Sequence, residues 1–304
     1  MENIATPDSR ENHTAIPARP DLIRLGIGIL GIGTSGPLIA LSTMPISTLI
    51  FWRNLGGAFL TAPFALRHRQ WRESKGIAWS VFAGILLALH FLCFFLAMRW
   101  TSVAAGTAMV ALQPIFAAMF VKFFGGHIPS RAWFGMTVSF LGVLLVTGVD
   151  LHISLRAFEG DVAGLVSAAL AAAYMMAGSK AQKSVATATY TTVCYFVCAI
   201  SVLPIALIST VSLIHFSARD WWIVVGLIFG AQILGHTMFN TALKRVSPAV
   251  VSLIIFFEVP VSSVLALWWL GQSPALLVIP GIVLILFGCA LVVLRTRPNE
   301  LVIA

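Results

Sequence analysis

The sequence predicts an all-α integral membrane protein with ten transmembrane helices, arranged as two inverted repeats of five helices each. Composition, the lengths of the apolar stretches and the placement of charge support this fold class. The 304-residue chain is 59% hydrophobic and 10% charged, with a mean hydropathy of +0.96. Soluble globular domains are far less apolar than this.

Ten mostly apolar stretches have the length that a helix needs to cross a bilayer. They lack the alternation of period two that a β-barrel shows, so we expect helices, whose backbone hydrogen bonds are satisfied within each span. The predicted spans are residues 22–41, 45–66, 76–98, 103–124, 132–149, 161–180, 188–209, 221–242, 249–270 and 275–294. The remaining segments are predicted to be a disordered tail at 1–21, a linker at 150–160 and a second tail at 295–304.

The basic residues follow the positive-inside rule when the N-terminus is placed in the cytoplasm. The predicted outside segments contain only Arg99, Arg156 and Arg219, and Arg53 and Lys122 lie inside spans. All other basic residues fall in segments predicted to be inside: Arg10, Arg19, Arg24, Arg67, Arg69, Arg72, Lys75, Arg131, Lys180, Lys183, Lys244, Arg245, Arg295 and Arg297. Topology thus accounts for the net charge of +8, and no nucleic-acid partner is expected.

The four cysteines, Cys93, Cys194, Cys198 and Cys289, all lie in predicted spans. Cys194 and Cys198 share a helix face, but no His or third Cys stands near them in sequence. Buried thiols are therefore favoured over a metal or redox site. No metal and no cofactor are predicted. The spans leave no room for a soluble domain, so the function must be performed within the bilayer.

The two halves show a weak internal repeat at an offset of 145 residues. Phe94 matches Phe239, Ser102 matches Ser247, and Gln113 corresponds to Glu258. The connections repeat more clearly: "RWTSVA" and "RVSPAV" both join the third and fourth spans of a half, and "GGHIP" and "GQSP" both follow the fourth. Since each half (22–149 and 161–294) has an odd number of spans, the second is inverted. Inverted repeats are a transporter architecture with a site near the membrane midplane.

Four stretches carry a family resemblance: "FWRNLGGAFL", "FFLAMRWTSVAAGTAMVALQPIFAAMF", "ALAAAYMMAGSK" and "ALKRVSPAVVSLIIFFEVPVSSVLALWWLG". In their order and spacing, the sequence resembles the EamA branch of the drug/metabolite transporter superfamily over roughly residues 22–294. The resemblance implies a multi-pass protein of the bacterial inner membrane with both termini cytoplasmic, which exports amino acids or other small metabolites. The sequence departs from the usual family pattern at Gly33, Leu41, His127, Val259 and Gln272.

A polar stripe in the eighth predicted span is a candidate substrate-binding surface. Gln232, His236 and Asn240 stand at i, i+4 and i+8 and would share one face of an α-helix. His90 occupies nearly the equivalent place in the other half. Such residues line a cavity or hydrogen-bond to neighbouring helices, and both readings remain open. The histidines could carry protons or act as fixed hydrogen-bond partners.

Two charged residues lie deep in predicted spans, Arg53 in the second and Glu258 in the ninth. They could pair with each other or with local backbone as structure, or one of them could contact substrate or couple transport to protons. Tyr174, among small residues of the sixth span, could stack on a substrate or fill a gap.

The segment "GTSGP" in the first span predicts a break in the helix. Pro37 has no N–H and clashes with the carbonyl of Gly33, and Gly36 eases the opening. Thr34 and Ser35 would then face the site, and Pro114 and Pro260 are further candidate hinges. The alternative is catalytic, because Ser35 and His236 are similar to the dyad of rhomboid intramembrane proteases. A serine in the first of ten spans and two inverted halves favour transport instead.

The sequence therefore predicts a transporter that moves a small metabolite by alternating access around a central cavity. Amino acids, including aromatic or bulky ones, are the expected substrates, and the alternative is a multidrug or nucleoside/nucleotide-sugar transporter of the same fold. Its partners are the lipid bilayer and the substrate. Monomer and homodimer both remain open, as do proton coupling, exchange and facilitated diffusion.

Overall fold

The computed structural model describes residues 19–67, 72–125, 130–209, 212–239 and 255–295, which form helices joined by short turns. A π-helical segment, Leu227–Thr237, directly continues α10. The helices are α1 (Arg19–Gly33), α2 (Ser35–Leu41), α3 (Ile46–Leu66), α4 (Ser74–Trp100), α5 (Val103–Val110), α6 (Gln113–Phe123), α7 (Ser130–Ile153), α8 (Leu155–Ala181), α9 (Thr187–Ser209), α10 (Ala218–Gly226), α11 (Glu258–Leu270) and α12 (Ile279–Arg295).

The helices confirm the predicted membrane class. In the described ranges, six helical segments are long and apolar enough to cross a bilayer: Leu22–Leu41, Ser74–Trp100, Val103–Phe123, Ala132–Ile153, Leu155–Ala181 and Thr187–Ser209. Glu258–Leu270 and Ile279–Leu291 are apolar but shorter. α3, which contains Arg53, and the continuous helix from α10 into the π segment coincide with the two other predicted spans.

The predicted linker at 150–160 is almost entirely helical in the structure. α7 continues to Ile153, α8 begins at Leu155, and only Ser154 separates them. The Ser154 hydroxyl accepts a hydrogen bond from the Ala157 N–H at 3.0 Å, so it caps the new helix immediately. At the N-terminus, α1 already begins at Arg19, whereas residues 1–18 and 296–304 lie outside the described residues.

Helix packing relates the two halves of the chain to each other. α4, the third span, packs on α8, the sixth, and the π segment of the eighth span packs on α1, the first. The third span of each half thus packs on the first span of the other half. α3 packs on α9, α7 on α12 and α5 on α11, which joins each span to its counterpart in the other half. An approximate two-fold relation between the predicted halves generates this pattern, as inverted repeats require.

The first span breaks where the sequence predicts it. α1 ends at Gly33, Thr34 separates the helices, and α2 starts at Ser35. Pro37 cannot donate to the Gly33 carbonyl, which instead accepts a hydrogen bond from the Ser262 hydroxyl of α11 at 2.9 Å. The carbonyl freed by the proline is thus satisfied by a neighbouring helix.

The fourth and ninth spans break at corresponding places. A turn at Ala111–Leu112 separates α5 from α6, and a turn at Phe256–Phe257 precedes α11. These turns are 145 residues apart, the offset of the internal repeat. Pro114 and Pro260 stand in the first turns of α6 and α11, where a missing N–H costs no helical hydrogen bond. Their function as hinges stays a prediction.

A group of polar residues, here called the Asp220 cluster, joins two segments at one end of the bundle. It consists of Ser42, Thr43, Ser217 and Asp220. The Asp220 carboxylate accepts hydrogen bonds from the hydroxyls of Ser42 at 2.9 Å, Thr43 at 2.7 Å and Ser217 at 2.7 Å, and from the Thr43 N–H at 2.8 Å. The cluster joins the connection after α2 to the start of α10, segments that the predicted topology places outside.

Candidate functional site

Arg53 of α3 lies at the centre of the candidate site and is completely buried. Its Nε–H donates a hydrogen bond to Oε1 of Gln232 at 3.1 Å. The guanidinium carbon stands 4.4 Å from the ring centroid of Phe91 and 5.9 Å from that of Phe95. Both distances are in the range of cation–π contacts. Nη1 and Nη2 have no hydrogen-bond partner among the described residues, so the outer fork of the guanidinium is available to an acceptor.

The local sequence of α3 makes room for this arrangement. Gly57 follows Arg53 by one helical turn on the same face. A side chain at Gly57 would collide with the amide of Gln232, and one at Gly56 would collide with Ile228. The two glycines therefore let the eighth span approach closely enough for Gln232 to reach Arg53.

The eighth span differs from the predicted α-helix. From Leu227 to Thr237 it is a π-helix, whose i→i+5 hydrogen bonds widen the turn. The π-helical segment lies where the eighth span packs on α1 with the two backbones close to each other. A Cβ on Gly31 would lie 2.6 Å from the Gly230 carbonyl and 2.9 Å from the Gly235 nitrogen. This tertiary contact, which local sequence does not encode, accompanies the change. π-Helical turns occur frequently at functional sites.

The polar stripe of the eighth span is brought to Arg53 in part. Gln232 is completely buried and contacts Arg53 directly. His236 is half-buried, and its ring lies within electrostatic range of Arg53 and His90. Asn240 lies outside the described residues.

His90 is 7% exposed and joins two helices. Its Nδ1 lies 2.9 Å from the Ser167 carbonyl and 2.9 Å from the Ser167 hydroxyl, and that hydroxyl is 3.2 Å from the His90 carbonyl. One assignment satisfies every group: Nδ1–H donates to the Ser167 carbonyl, and the hydroxyl donates to the His90 carbonyl. The ring also stacks on Phe94, with 5.8 Å between ring centroids. His90 thus fixes α4 to α8 at the level of the site.

Glu258 and Arg53 do not form an ion pair, although their charges are close enough to interact. Tyr174 is half-buried on α8 and lies within electrostatic range of Tyr190 and Tyr195. Tyr195, 2% exposed, lies within electrostatic range of Arg53, and its hydroxyl has no partner in the part of the chain that the structure describes. The site thus contains the cation of Arg53, the carboxyl group of Glu258 and the phenols of Tyr174 and Tyr195. The rings of Phe91 and Phe95 lie against Arg53.

Thr34 and Ser35 serve the helix break. The Thr34 hydroxyl donates to the Gly31 carbonyl at 2.7 Å, and Ser35 is 2% exposed. No hydrogen bond joins Ser35 to His236 in the structure, whereas a serine nucleophile needs its base within hydrogen-bond reach. Within the described ranges, no group of three His, Cys, Asp or Glu residues could hold a metal ion.

Sequence reasoning missed several residues of the site, namely Gly57, Phe91, Phe95, Ser167 and Tyr195. The aromatic residues carry no signal that separates them from ordinary core residues of an apolar chain. Gly57 did carry one, because a glycine pair one turn after a buried arginine indicates a close helix approach on the charged face.

Comparison with known proteins agrees with the fold. The EamA-like transporter family matches residues 23–148 and again residues 158–294. The pseudopaline exporter CntI of Pseudomonas aeruginosa is 24% identical over 277 residues, which cover 88% of this chain and 96% of that protein. The uncharacterized transporter YxxF of Bacillus subtilis is 23% identical over 310 residues, which cover 98% of this chain and 95% of that protein.

A protein of known crystal structure shares the fold. It superposes with a TM-score of 0.63 at 18% identity, and the match covers 92% of this chain and 99% of that one. The two family matches each cover one of the predicted halves, and the described helices have the composition of membrane spans. The chain therefore belongs to the EamA-like transporter family and is a multi-pass membrane transporter.

Proposed function

We propose that this protein exports small metabolites that carry a carboxylate, amino acids first among them, across a bacterial inner membrane. The observation that supports this substrate class best is the outer fork of Arg53, to which the described residues offer no acceptor. A buried guanidinium without acceptors is costly. Two parallel N–H groups match a carboxylate bidentately, and Nη1 and Nη2 of Arg53 offer such a pair. A substrate carboxylate would satisfy both.

The surroundings of Arg53 suit the rest of an amino acid. The Tyr195 hydroxyl is a further donor without a partner in the described residues. When Glu258 is ionised, its carboxylate could accept hydrogen bonds from the ammonium group of the amino acid. Phe91 and Phe95 offer aromatic surface to an apolar side chain, which favours bulky or aromatic amino acids over small polar ones.

Complete burial of Arg53 supports alternating access. At 0% exposure, the guanidinium can meet a solute only after helices on one side have separated. The Asp220 cluster holds the predicted outer end closed, so we propose that this end opens to release the solute. Binding must differ between the two states for a gradient to drive transport. His90, His236 and Glu258 are the groups through which protons could couple to that difference.

A second candidate substrate comes from the relatives. One of them is named a pseudopaline exporter, so export of pseudopaline by this chain is also tested below. We propose no catalysis, because Ser35 and His236 do not form the hydrogen bond that a protease dyad would use.

Counterflow in proteoliposomes tests the proposal. Vesicles are loaded with an unlabelled amino acid, and uptake of a labelled amino acid is followed with and without an imposed pH gradient. Each internal amino acid is compared with the amine that lacks its carboxylate, for example phenylalanine with phenethylamine. We expect the amino acids to drive uptake and the amines to fail. Equal counterflow by both would contradict recognition of a carboxylate.

Variants test whether Arg53 is the residue that recognises the carboxylate. Arg53→Gln should abolish counterflow, and Arg53→Lys should restore little, because an ammonium group lacks the planar fork. Arg67→Gln is the matched control, since Arg67 is exposed at the end of α3. Wild-type counterflow in Arg53→Gln would show that this arginine is only structural. Flux of pseudopaline without flux of any amino acid would select the second candidate.

A further inference from the structure

Outside the Arg53 site, the side of the bundle has a concave surface that is mostly apolar. A cavity of about 420 Å³ opens between α3, α4 and α9, at the same end as the Asp220 cluster. Its wall is mostly apolar, and two arginines, Arg99 and Arg156, complete it. The apolar part includes Ile46, Leu92, Leu96 and Ile205.

Neither arginine forms an ion pair with a carboxylate of the described residues. Nη2 of Arg99 donates to the carbonyls of Ser42 at 3.1 Å and Met44 at 2.5 Å, while its buried Nε has no partner among the described residues. Arg156 is exposed, with its guanidinium carbon 5.6 Å from the Trp100 ring centroid. The carboxylate that influences Arg99 electrostatically, Asp220, is occupied by the four donors described above. Two cations, neither of which forms an ion pair among the described residues, therefore line one apolar cavity.

A separate cavity lies further along the seam of α4 and α9. It has a volume of about 190 Å³ and is lined by Ile85 of α4 and by Phe196, Val197 and Ile200 of α9. The stretch of α4 from Ile85 to Arg99 is about 21 Å long, and half of the hydrocarbon core of a bilayer is about 15 Å thick. The seam thus leads from the charged end of the helices to the middle of the membrane.

We propose that an anionic phospholipid of the surrounding bilayer binds in this groove. Its phosphate contacts Arg99 and Arg156, and one acyl chain lies along α4 and α9. Guanidinium groups match phosphate oxygens bidentately, and Trp100 lies at the level where tryptophans contact lipid headgroups. The predicted outer segments contain only three basic residues, and two of them line this groove, which argues against a chance concentration of charge.

Native mass spectrometry of protein released from nanodiscs tests this proposal. The nanodiscs contain equal amounts of phosphatidylglycerol and phosphatidylcholine. We expect the wild type to retain phosphatidylglycerol in preference to phosphatidylcholine. Arg156→Ala and Arg99→Gln should each weaken this preference by about fivefold, as expected for one basic residue at a lipid surface. Arg219→Ala is the matched control, a third arginine at the same predicted end that does not line the groove.

A separate variant tests the proposed contact of the acyl chain with the groove. Leu96→Trp fills the groove and should reduce retention of phosphatidylglycerol, whereas Leu144→Trp, on the exposed face of α7, should leave retention unchanged. Arg99 also donates hydrogen bonds to two backbone carbonyls, which Arg99→Gln would disturb. If that variant does not fold, Arg156→Ala alone tests the contact with the phosphate. Equal retention of the two lipids by the wild type, or an unchanged preference in Arg156→Ala, would overturn the proposal.

Discussion

The surroundings of Arg53 determine what this buried cation can do. One edge of the guanidinium is fixed by Gln232, and one face lies against Phe91. These contacts hold its orientation but leave Nη1 and Nη2 without acceptors in the described structure. Arg99, by contrast, donates from Nη2 to the carbonyls of Ser42 and Met44. Because the Arg53 guanidinium is completely buried, its two outer donors without a partner in the described residues are the strongest residue-level argument for a ligand there.

Gly57→Ala tests whether Gln232 positions Arg53. The added methyl group would collide with the Gln232 amide, so Gln232 must shift and release the guanidinium. We expect counterflow to fall at least tenfold, about 1.4 kcal/mol, which is the size of one hydrogen bond to a charged group. Gly26→Ala is the control, because nothing lies within 4 Å of the methyl group it adds. Equal activity of both variants would remove Gln232 from the mechanism.

Asp220→Asn tests the cluster that closes the outer end. Burial alone raises the pKa of the Asp220 carboxyl, but hydrogen bonds from Ser217, Thr43 and Ser42 outweigh it and lower the pKa to about 2, against an ordinary 3.8. A lowered folded-state pKa stabilises the protein above the unfolded value, and this stability is lost as the pH falls through the folded value. We expect Asp220→Asn to reduce the free energy of unfolding near neutral pH by about 2 kcal/mol.

The pH dependence separates this charge effect from a simple packing defect. The gap between the wild type and Asp220→Asn should be constant above about pH 4 and narrow between about pH 4 and 2, because the wild-type carboxylate is protonated there. Denaturant unfolding in detergent across this range measures it. Glu159→Gln, at an exposed carboxyl on α8, is the control. A gap that does not change with pH would show that the charge of Asp220 contributes nothing.

At the scale of elements, the broken first span depends on a compensating contact. Pro37 leaves the Gly33 carbonyl without its usual intrahelical donor, and Ser262 of α11 supplies one. α1 and α11 are close here, since a Cβ on Gly33 would collide with Val261 at 2.5 Å. No larger residue fits at this position without moving α11. The break and the packing of the ninth span on the first are therefore one feature.

A double-mutant cycle tests this dependence. Ser262→Ala alone should cost about 1–3 kcal/mol, because it leaves a buried carbonyl without a donor. In a Pro37→Ala background the same change should cost less, since the N–H of the new alanine can donate to the Gly33 carbonyl. Thermal unfolding of the four proteins gives the coupling energy. Additive effects would show that Ser262 does not replace the proline's missing hydrogen bond.

The breaks could be predicted from sequence, but the π-helix could not. Pro37 acts through its own ring and missing N–H, so its effect is local and can be predicted from the sequence. The segment Leu227–Thr237 has no such residue, and its wide turns coincide with contact between its backbone and Gly31, about 200 residues away in sequence. The same limit applies to the site. Arg53 and Gln232 stand out as polar residues in apolar spans, whereas Tyr195 and Phe91 become part of the site only through packing.

At the scale of the whole molecule, transport requires the halves to separate where they now touch. The Asp220 cluster joins the first half, through Ser42 and Thr43, to the second half, through Ser217 and Asp220. On the opposite side, α4 begins against the end of α8, where a side chain at Gly76 would meet Val185 at 2.7 Å. Alternating access predicts that these two ends do not open together. The outer end can be locked with a single covalent bond.

Thr43→Cys with Ser217→Cys, in a background without the four native cysteines, provides this lock. Both native hydroxyls donate to the same Asp220 oxygen, each at 2.7 Å, so the two new thiols are directed to the same point, and oxidation tests whether they form a disulfide. We expect oxidation to stop counterflow and a reducing agent to restore it in the same vesicles, because the outer end must open to release substrate. Each single cysteine variant, oxidised in the same way, is the control. If mass spectrometry shows complete cross-linking while counterflow persists, the solute leaves by a route that does not part the Asp220 cluster, and the outer opening must lie elsewhere between the halves.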